Sequence, residues 1–138
     1  MGDVAAVKRM SIVSAAVVLA VAGCGSVDGR GDAASAAALR MLQDVQSKDG
    51  AAACALLAPD TAAEIEQSAG KPCRDAILDE DLPAAGAVSR AQVYGQWAQV
   101  RLSGDTVFLG AFPGGWRVVA AGCRPRGDRP YDCTLQGG

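Results

Sequence analysis

The chain has 138 residues, of which half are hydrophobic, and its formal net charge at pH 7 is −2. This length corresponds to one domain. The balanced charge and the lack of any long basic run argue against nucleic acid as a partner. The chain contains no histidine, so the commonest general base and metal ligand is missing.

The first 23 residues have the layout of a secretory signal peptide. Lys8 and Arg9 precede an apolar run over residues 10–22. This run of about 13 residues suits a signal core but is shorter than the roughly 20 residues that cross a bilayer. We therefore predict that residues 1–23 are removed and take no part in the fold.

Cys24 follows this run directly. The segment Val21-Ala22-Gly23-Cys24 resembles the lipobox of bacterial lipoproteins, although that family prefers Leu where Val21 stands. The resemblance implies that Cys24 carries a thioether-linked diacylglycerol and becomes the mature amino terminus. A competing pattern, Ala20-Val21-Ala22, fits ordinary secretory cleavage, which would release a soluble protein with a free Cys24.

The number of cysteines favours lipidation. An exported protein normally oxidises its thiols in pairs, and this chain has five cysteines. Alkylation of Cys24 leaves an even set. We therefore expect attachment to the extracytoplasmic face of the cell membrane, with residues 24–31 as the lipidated cysteine and a flexible tether, and residues 32–138 as a single domain.

The domain opens with a helical pattern. Asp32 is predicted to be the N-cap of a helix over residues 33–48. Four apolar side chains recur there with the spacing of one helix face. They are Ala38, Met41, Leu42 and Val45.

Three shorter helices are predicted next. The first covers residues 51–57 and ends before a proline. The second opens at Thr61 and Glu64, which fit a capping box, and ends at Gly70. The third begins with Pro72 in its first turn.

The hydrophobic period then changes to two, which is typical of strands. Four strands are predicted over residues 87–94, 97–102, 106–112 and 116–123. The turn sequences Ser-Gly-Asp and Pro-Gly-Gly connect the second strand to the third and the third to the fourth. Helices followed by an antiparallel meander predict an α+β fold, with short helices packed on one face of the sheet.

The order of these elements and the run Gly-Gly-Trp-Arg-Val-Val-Ala-Ala-Gly-Cys at residues 114–123 resemble small lipoproteins of high-GC Gram-positive bacteria. Those proteins are similar to the nuclear transport factor 2-like superfamily. The resemblance covers nearly all of residues 33–136 and implies a cone formed by a curved sheet wrapped around helices. It implies little chemistry, because that family is mostly of unassigned function.

Four cysteines allow three pairings, and we favour Cys54–Cys73 and Cys123–Cys133. The first bridge would join the second helix to the start of the fourth. The second would close the segment that follows the last predicted strand. A zinc site is the alternative, but the spacings lack the short Cys-x-x-Cys knuckle, so we expect no metal.

No catalytic set is recognisable in the sequence. No base accompanies a cysteine nucleophile, and serine and lysine do not form the spacings of known hydrolases. The carboxylates that could pair are Glu64 with Glu66 and the run Asp79-Glu80-Asp81. The aromatic side chains that could line a pocket are Tyr94, Trp97 and Tyr131.

Two functions remain open. We expect a non-enzymatic module without a cofactor, held on the membrane through diacylglycerol on Cys24, whose open cone binds a small apolar ligand or an envelope protein. The alternative is a small hydrolase or isomerase that uses a carboxylate or a tyrosine in the cone. Two titratable groups converging in a deep pocket would favour this alternative.

Overall fold

The computed structural model of the protein describes residues 27–137. The predicted leader over residues 1–23 and the predicted lipidation at Cys24 lie outside the described residues. Four α-helices come first, namely α1 (Val27–Gln46), α2 (Gly50–Ala55), α3 (Pro59–Ala69) and α4 (Cys73–Ala76), followed by a 3₁₀ turn at Ile77–Asp79. Five strands follow, namely β1 (Val88–Tyr94), β2 (Trp97–Leu102), β3 (Thr106–Phe112), β4 (Gly115–Arg126) and β5 (Arg129–Gln136).

The predicted face of α1 is confirmed. Ala38, Met41 and Leu42 are completely buried and Val45 nearly so. The predicted start of this helix is wrong, because α1 already runs from Val27 through the segment for which we expected a flexible tether. Contacts of Arg30 with Gly95 and Trp116 hold the first turn in place, and a short helical turn depends on such contacts.

The start of α3 also differs from the prediction. The helix begins at Pro59, two residues before the predicted capping box, and its N-cap residue Ala58 makes no side-chain hydrogen bond. Thr61 is buried, and its Oγ1 donates to the carbonyl oxygen of Val119 at 2.9 Å. Gly70 ends the helix as predicted. Pro72 precedes α4 as its N-cap instead of lying in the first turn.

The sheet has five antiparallel strands in the order β1-β2-β3-β4-β5. The α+β class is therefore confirmed, but the prediction of four strands is wrong. The fifth strand, Arg129–Gln136, carries mostly polar side chains and a proline, Pro130, so its sequence lacks the strand signal. Proline is tolerated there because β5 is an edge strand.

The core lies between α1 and one face of the sheet. Ala98 pairs with Leu109, and Leu109 pairs with Val118. These side chains are buried in the same apolar cluster as Met41 and Leu42 of α1. The helical layer thus covers the face of the sheet that the alternating sequence pattern predicts to be apolar.

The chain between α2 and α3 covers the part of β4 that β5 does not reach. Pairing of β5 with β4 begins at Ala120. Ahead of that point, the backbone N–H of Val118 donates to Leu56 O and the N–H of Ala58 donates to Val118 O, both at 2.8 Å. This segment satisfies backbone groups that would otherwise form an open sheet edge.

Consecutive turns of an antiparallel meander lie at alternate ends of the sheet. The β1–β2 turn at Gly95 and the β3–β4 turn at residues 113–114 therefore share one end, which we call the α1 end because α1 begins there. The turns at residues 103–105 and 127–128 share the other, which we call the distal end. Within residues 27–137, no helix has the length and apolar character needed to span a bilayer.

Candidate functional site

The four cysteines of the folded domain form two disulfides. Cys54 of α2 is bonded to Cys73 at the start of α4. Cys123 of β4 is bonded to Cys133, its register partner on β5. This is the pairing favoured from the sequence, and Cys24 is the remaining one of the five cysteines.

The structure does not bring the carboxylates of α3 together. Glu64 accepts a hydrogen bond from Ser68 within the same helix, whereas Glu66 accepts one from the backbone N–H of Cys73 at 3.2 Å. Glu66 therefore fixes the start of α4. In the acidic run, Asp79 forms an exposed ion pair with Lys71. The hydrogen bond to Asp79 and its negative charge raise the pKa of Lys71.

Asp105, which the sequence suggested only as a turn residue, is the most enclosed carboxylate among the described residues. Its Oδ1 accepts from the backbone N–H groups of Thr106 at 2.6 Å and Cys123 at 2.8 Å. Its Oδ2 accepts from the N–H of Gly122 at 3.0 Å. Burial raises the pKa of the carboxyl, and these three hydrogen bonds lower it in part. The Asp105 side chain thus accepts hydrogen bonds from backbone N–H groups of β4 that lie beyond the last residue of β4 paired with β3.

A cavity of about 130 Å³ lies beside Asp105 and is also lined by Asp81 and Arg124. Two carboxylates thus border one space, which is the arrangement that the hydrolase alternative needs. Both oxygens of Asp105 are already engaged by backbone N–H groups. These bonds give the carboxylate a structural role and leave it poorly placed to act as a general base.

A second, more apolar cavity of about 170 Å³ lies at the α1 end. We call it the Trp97 cleft. Its main walls are Trp97 and Phe112 of the sheet, Pro59 and Thr61 of α3, and Val119 of β4. Typical small-molecule sites enclose about 300–1,000 Å³, so the cleft suits a short apolar group or one side chain.

The sheet register builds the aromatic wall of this cleft. Trp97 opens β2 and Phe112 ends β3, both on the face turned away from α1. Trp97 pairs with Gly110. A Cβ on Gly110 would lie 3.0 Å from the Phe112 ring and 3.5 Å from the Trp97 ring. Both rings therefore lie against Gly110, at a position where a side chain would crowd them.

The three aromatic residues proposed for a pocket do not meet at one place. Tyr94 is the register partner of Trp97 and lies beside it at the α1 end. Tyr131 instead packs edge-on against Phe108, with ring centroids 5.1 Å apart, and its hydroxyl accepts from Gln99 Nε2 at 3.2 Å. Tyr131 therefore has a packing role. Phe112, and not Tyr131, lines the cleft together with Trp97.

The described part of the chain contains no cluster of three or more acidic or cysteine side chains that could hold a metal ion. Comparison with family models, with curated proteins and with solved structures finds no match to the chain. Its function is therefore inferred from its own residues, above all from the paired cysteines and the Trp97 cleft.

Proposed function

We propose that the protein is a lipoprotein of the cell envelope, held on the extracytoplasmic face of the membrane by diacylglycerol on Cys24. The pairing of the four downstream cysteines carries this proposal. Disulfides belong to oxidising compartments, which agrees with export by a leader over residues 1–23. The pairing also leaves Cys24 without a partner cysteine in its own chain and therefore available for alkylation.

The proposed anchor explains how a small domain stays on the membrane. A single acyl chain gives only marginal binding, whereas two chains attach a protein durably, at about 0.8 kcal/mol per buried methylene. Diacylglycerol supplies two chains at one sulfur atom. No membrane-spanning segment of the domain is then required.

We also propose that the domain is a non-enzymatic binding module of the nuclear transport factor 2-like type. Helices packed on one face of a five-stranded antiparallel sheet support this assignment. The Trp97 cleft supports the binding role, because its lining is mostly apolar apart from Asp60 and Thr61, and because it is open to solvent and flanked by two aromatic rings. Its size favours a short apolar group of a small ligand or of an envelope protein.

Replacement of Cys24 by alanine tests the anchor. We expect the wild-type protein made in a bacterial host that lipidates exported proteins to enter the detergent phase of a two-phase separation. We expect Cys24→Ala to stay in the aqueous phase. The double variant Cys54→Ala/Cys73→Ala is the control and should remain in the detergent phase, because its lipidation site is intact. A processed wild-type protein with an unmodified amino terminus by mass spectrometry would contradict the proposal.

Straight-chain alcohols of increasing length test the cleft. We expect the binding free energy to improve by about 0.8 kcal/mol per methylene until the cleft is full, and then to level off. Trp97→Ala should abolish this dependence in a titration followed by NMR chemical shifts. Tyr94→Ala is the matched control, because Tyr94 is 57% exposed and Trp97 59% exposed but only Trp97 lines the cleft. An equal loss in both variants would contradict the assignment.

A carboxylate-dependent hydrolase or isomerase is the second candidate, because Asp81 and Asp105 border one cavity. Asp81 is the exposed member of this pair, and its side chain makes none of the hydrogen bonds found among the described residues. If the protein hydrolyses a panel of simple esters and Asp81→Asn abolishes that turnover without unfolding the domain, the enzymatic function replaces our conclusion.

A further inference from the structure

Most of the exposed large apolar side chains of the described domain lie at one end. Tyr94 is 57% exposed, Trp97 59% and Phe112 37%. All three flank turns of the α1 end. Val88 is comparably exposed but lies at the distal end, where β1 begins. We call Tyr94, Trp97 and Phe112 the aromatic rim.

The start of α1 is fixed to this same end. Arg30 Nη2 donates to the carbonyl oxygen of Gly95, in the turn between Tyr94 and Trp97, at 2.6 Å. The guanidinium carbon of Arg30 also lies 5.3 Å from the ring centre of Trp116, within range of a cation–π interaction. A Cβ on Gly31 would be 3.6 Å from Cβ of Ala91. The first turn of α1 is therefore packed against the hairpin that carries most of the rim.

The length of chain ahead of α1 keeps Cys24 close to the rim. Three residue steps separate Cys24 from Val27, the first residue of α1. Even a fully extended backbone spans no more than about 11 Å over three steps, and Arg30 is about 4.5 Å further along the helix. A lipid on Cys24 would thus hold the α1 end within a short distance of the bilayer.

The distal end has no exposed aromatic side chain among the described residues. The β4–β5 turn and the strand ends beside it carry exposed charged side chains. These are Arg124, Arg126, Asp128, Arg129 and Asp132. Charged side chains are costly to move into the hydrocarbon layer, whereas Trp and Tyr are enriched at the membrane interface. The α1 end also carries the exposed carboxylates of Asp28 and Asp60, but the exposed aromatic rings are confined to it, and this distribution favours one orientation on a bilayer.

We propose that the aromatic rim lies in the interfacial layer of the membrane, so that the domain stands on its α1 end with the charged distal end pointing away from the lipid. This inference rests on the proposed lipid anchor at Cys24. Tethering raises the effective concentration of the rim at the surface, so that three side chains suffice for contact. Arg117, which borders the surface next to Phe112, provides a cation for anionic headgroups. Because Trp97 also lines the cleft, the mouth of the cleft opens beside the bilayer.

Depth-dependent fluorescence quenching tests this orientation. The lipidated full-length protein is reconstituted into vesicles of phosphatidylcholine and phosphatidylglycerol that contain a brominated phosphatidylcholine as quencher. Trp116→Phe leaves Trp97 as the single tryptophan. The distal control combines Trp97→Phe, Trp116→Phe and Asp128→Trp. We expect several-fold stronger quenching of Trp97 than of the distal reporter, together with a shift of the Trp97 emission to shorter wavelength.

Flotation of the vesicles separates this proposal from the anchor on which it rests. Protein that floats with the vesicles while Trp97 is quenched no more than the distal reporter would overturn the orientation, leave the anchor intact and point to a protein partner for the rim. Protein that fails to float would overturn the anchor and the orientation together. The wild-type protein, with both native tryptophans, is the control for misfolding of the variants. Part of its emission should be quenched.

Discussion

Gly122 shows how one residue shapes the distal half of β4. Its φ of +66° is a conformation that residues with side chains rarely adopt. A Cβ there would also lie 2.7 Å from Oγ1 of Thr134 and 2.8 Å from its Cβ. This backbone conformation directs the Gly122 N–H to Asp105. Gly127 has nearly the same φ, +64°, but nothing within 4 Å of its hypothetical Cβ.

Alanine substitutions at these two glycines separate backbone strain from steric conflict. We expect Gly127→Ala to lower the free energy of unfolding by about 1 kcal/mol, which is the cost of a left-handed residue. We expect Gly122→Ala to lower it by about 3 kcal/mol, because overpacking adds to that cost. Urea unfolding of both variants measures the difference. Equal effects would show that the contact with Thr134 relaxes freely.

Asp105 links stability to pH. Its pKa is raised from the ordinary 3.8, with burial as the largest cause. A raised pKa means that the folded protein binds the proton more tightly than the unfolded chain. The resulting stabilisation is fully present below pH 3.8 and is lost as the pH rises through the folded-state pKa.

Replacement of Asp105 by asparagine tests this linkage. The amide group of the new side chain would face the N–H of Gly122, so the variant should be less stable by about 1–3 kcal/mol. We expect the difference from wild type to be largest in acid and to shrink as the pH rises above 3.8. Urea unfolding at a series of pH values measures it, with Asp128→Asn at an exposed turn as the control. A difference that grows with pH would show that hydrogen bonding outweighs burial.

At the scale of elements, α2 and α4 are too short to be stable alone. They have six and four residues, and helices of this length depend on tertiary contacts. The Cys54–Cys73 bridge joins them. A Cβ on Gly50 would lie 1.8 Å from the carbonyl oxygen of Arg74, so the two backbones are in direct contact. This pair of helices therefore behaves as one covalently closed unit.

Removal of this bridge should be costly. The bridged residues are 19 positions apart, and a loop of that length corresponds to about 3 kcal/mol of stabilisation. We expect Cys54→Ala/Cys73→Ala to lose about this much in chemical unfolding, with faster hydrogen exchange in α2 and α4. Cys123→Ala/Cys133→Ala is the comparison, in which exchange should increase in β4 and β5 instead. If hydrogen exchange increased to the same extent throughout the domain in both variants, the two bridges would not have separate local roles.

At the scale of the whole molecule, neither disulfide connects the helical layer to the sheet. Cys54–Cys73 lies among the helices and Cys123–Cys133 within the sheet. Contact between the layers depends on the apolar core, in which Met41 of α1 is buried together with Val100 and Leu109, and on hydrogen bonds such as that from Thr61 to Val119 O. The two layers should therefore lose their structure together.

Coincident unfolding curves would demonstrate this cooperativity. We expect helix content by far-ultraviolet circular dichroism and tryptophan fluorescence from the sheet to report one transition. Met41→Ala should shift both curves equally and cost about 2–5 kcal/mol, whereas Arg40→Ala, at an exposed position of the same helix, should leave both nearly unchanged. Separate transitions would mean that the layers are independent.

Local patterns were sufficient for much of this architecture. The buried face of α1, the first four strands and the end of α3 at Gly70 follow from periodicity and turn chemistry within a few neighbouring residues. The disulfide pairing favoured from the sequence is also confirmed, and each bridge joins cysteines that are close along the chain. The class of the fold is therefore determined by the sequence read locally.

Contacts between distant residues decided the rest. Arg30 and Gly95 are 65 positions apart, and their hydrogen bond extends α1 into a segment without a helical pattern. Thr61 lies 58 positions from the carbonyl of Val119 that it binds, which overrides its capping signal. The polar strand β5, the burial of Asp105 and the gathering of exposed aromatic rings at one end likewise arise only when the sheet is assembled, because strand pairing and burial are properties of packing and not of any short stretch of sequence.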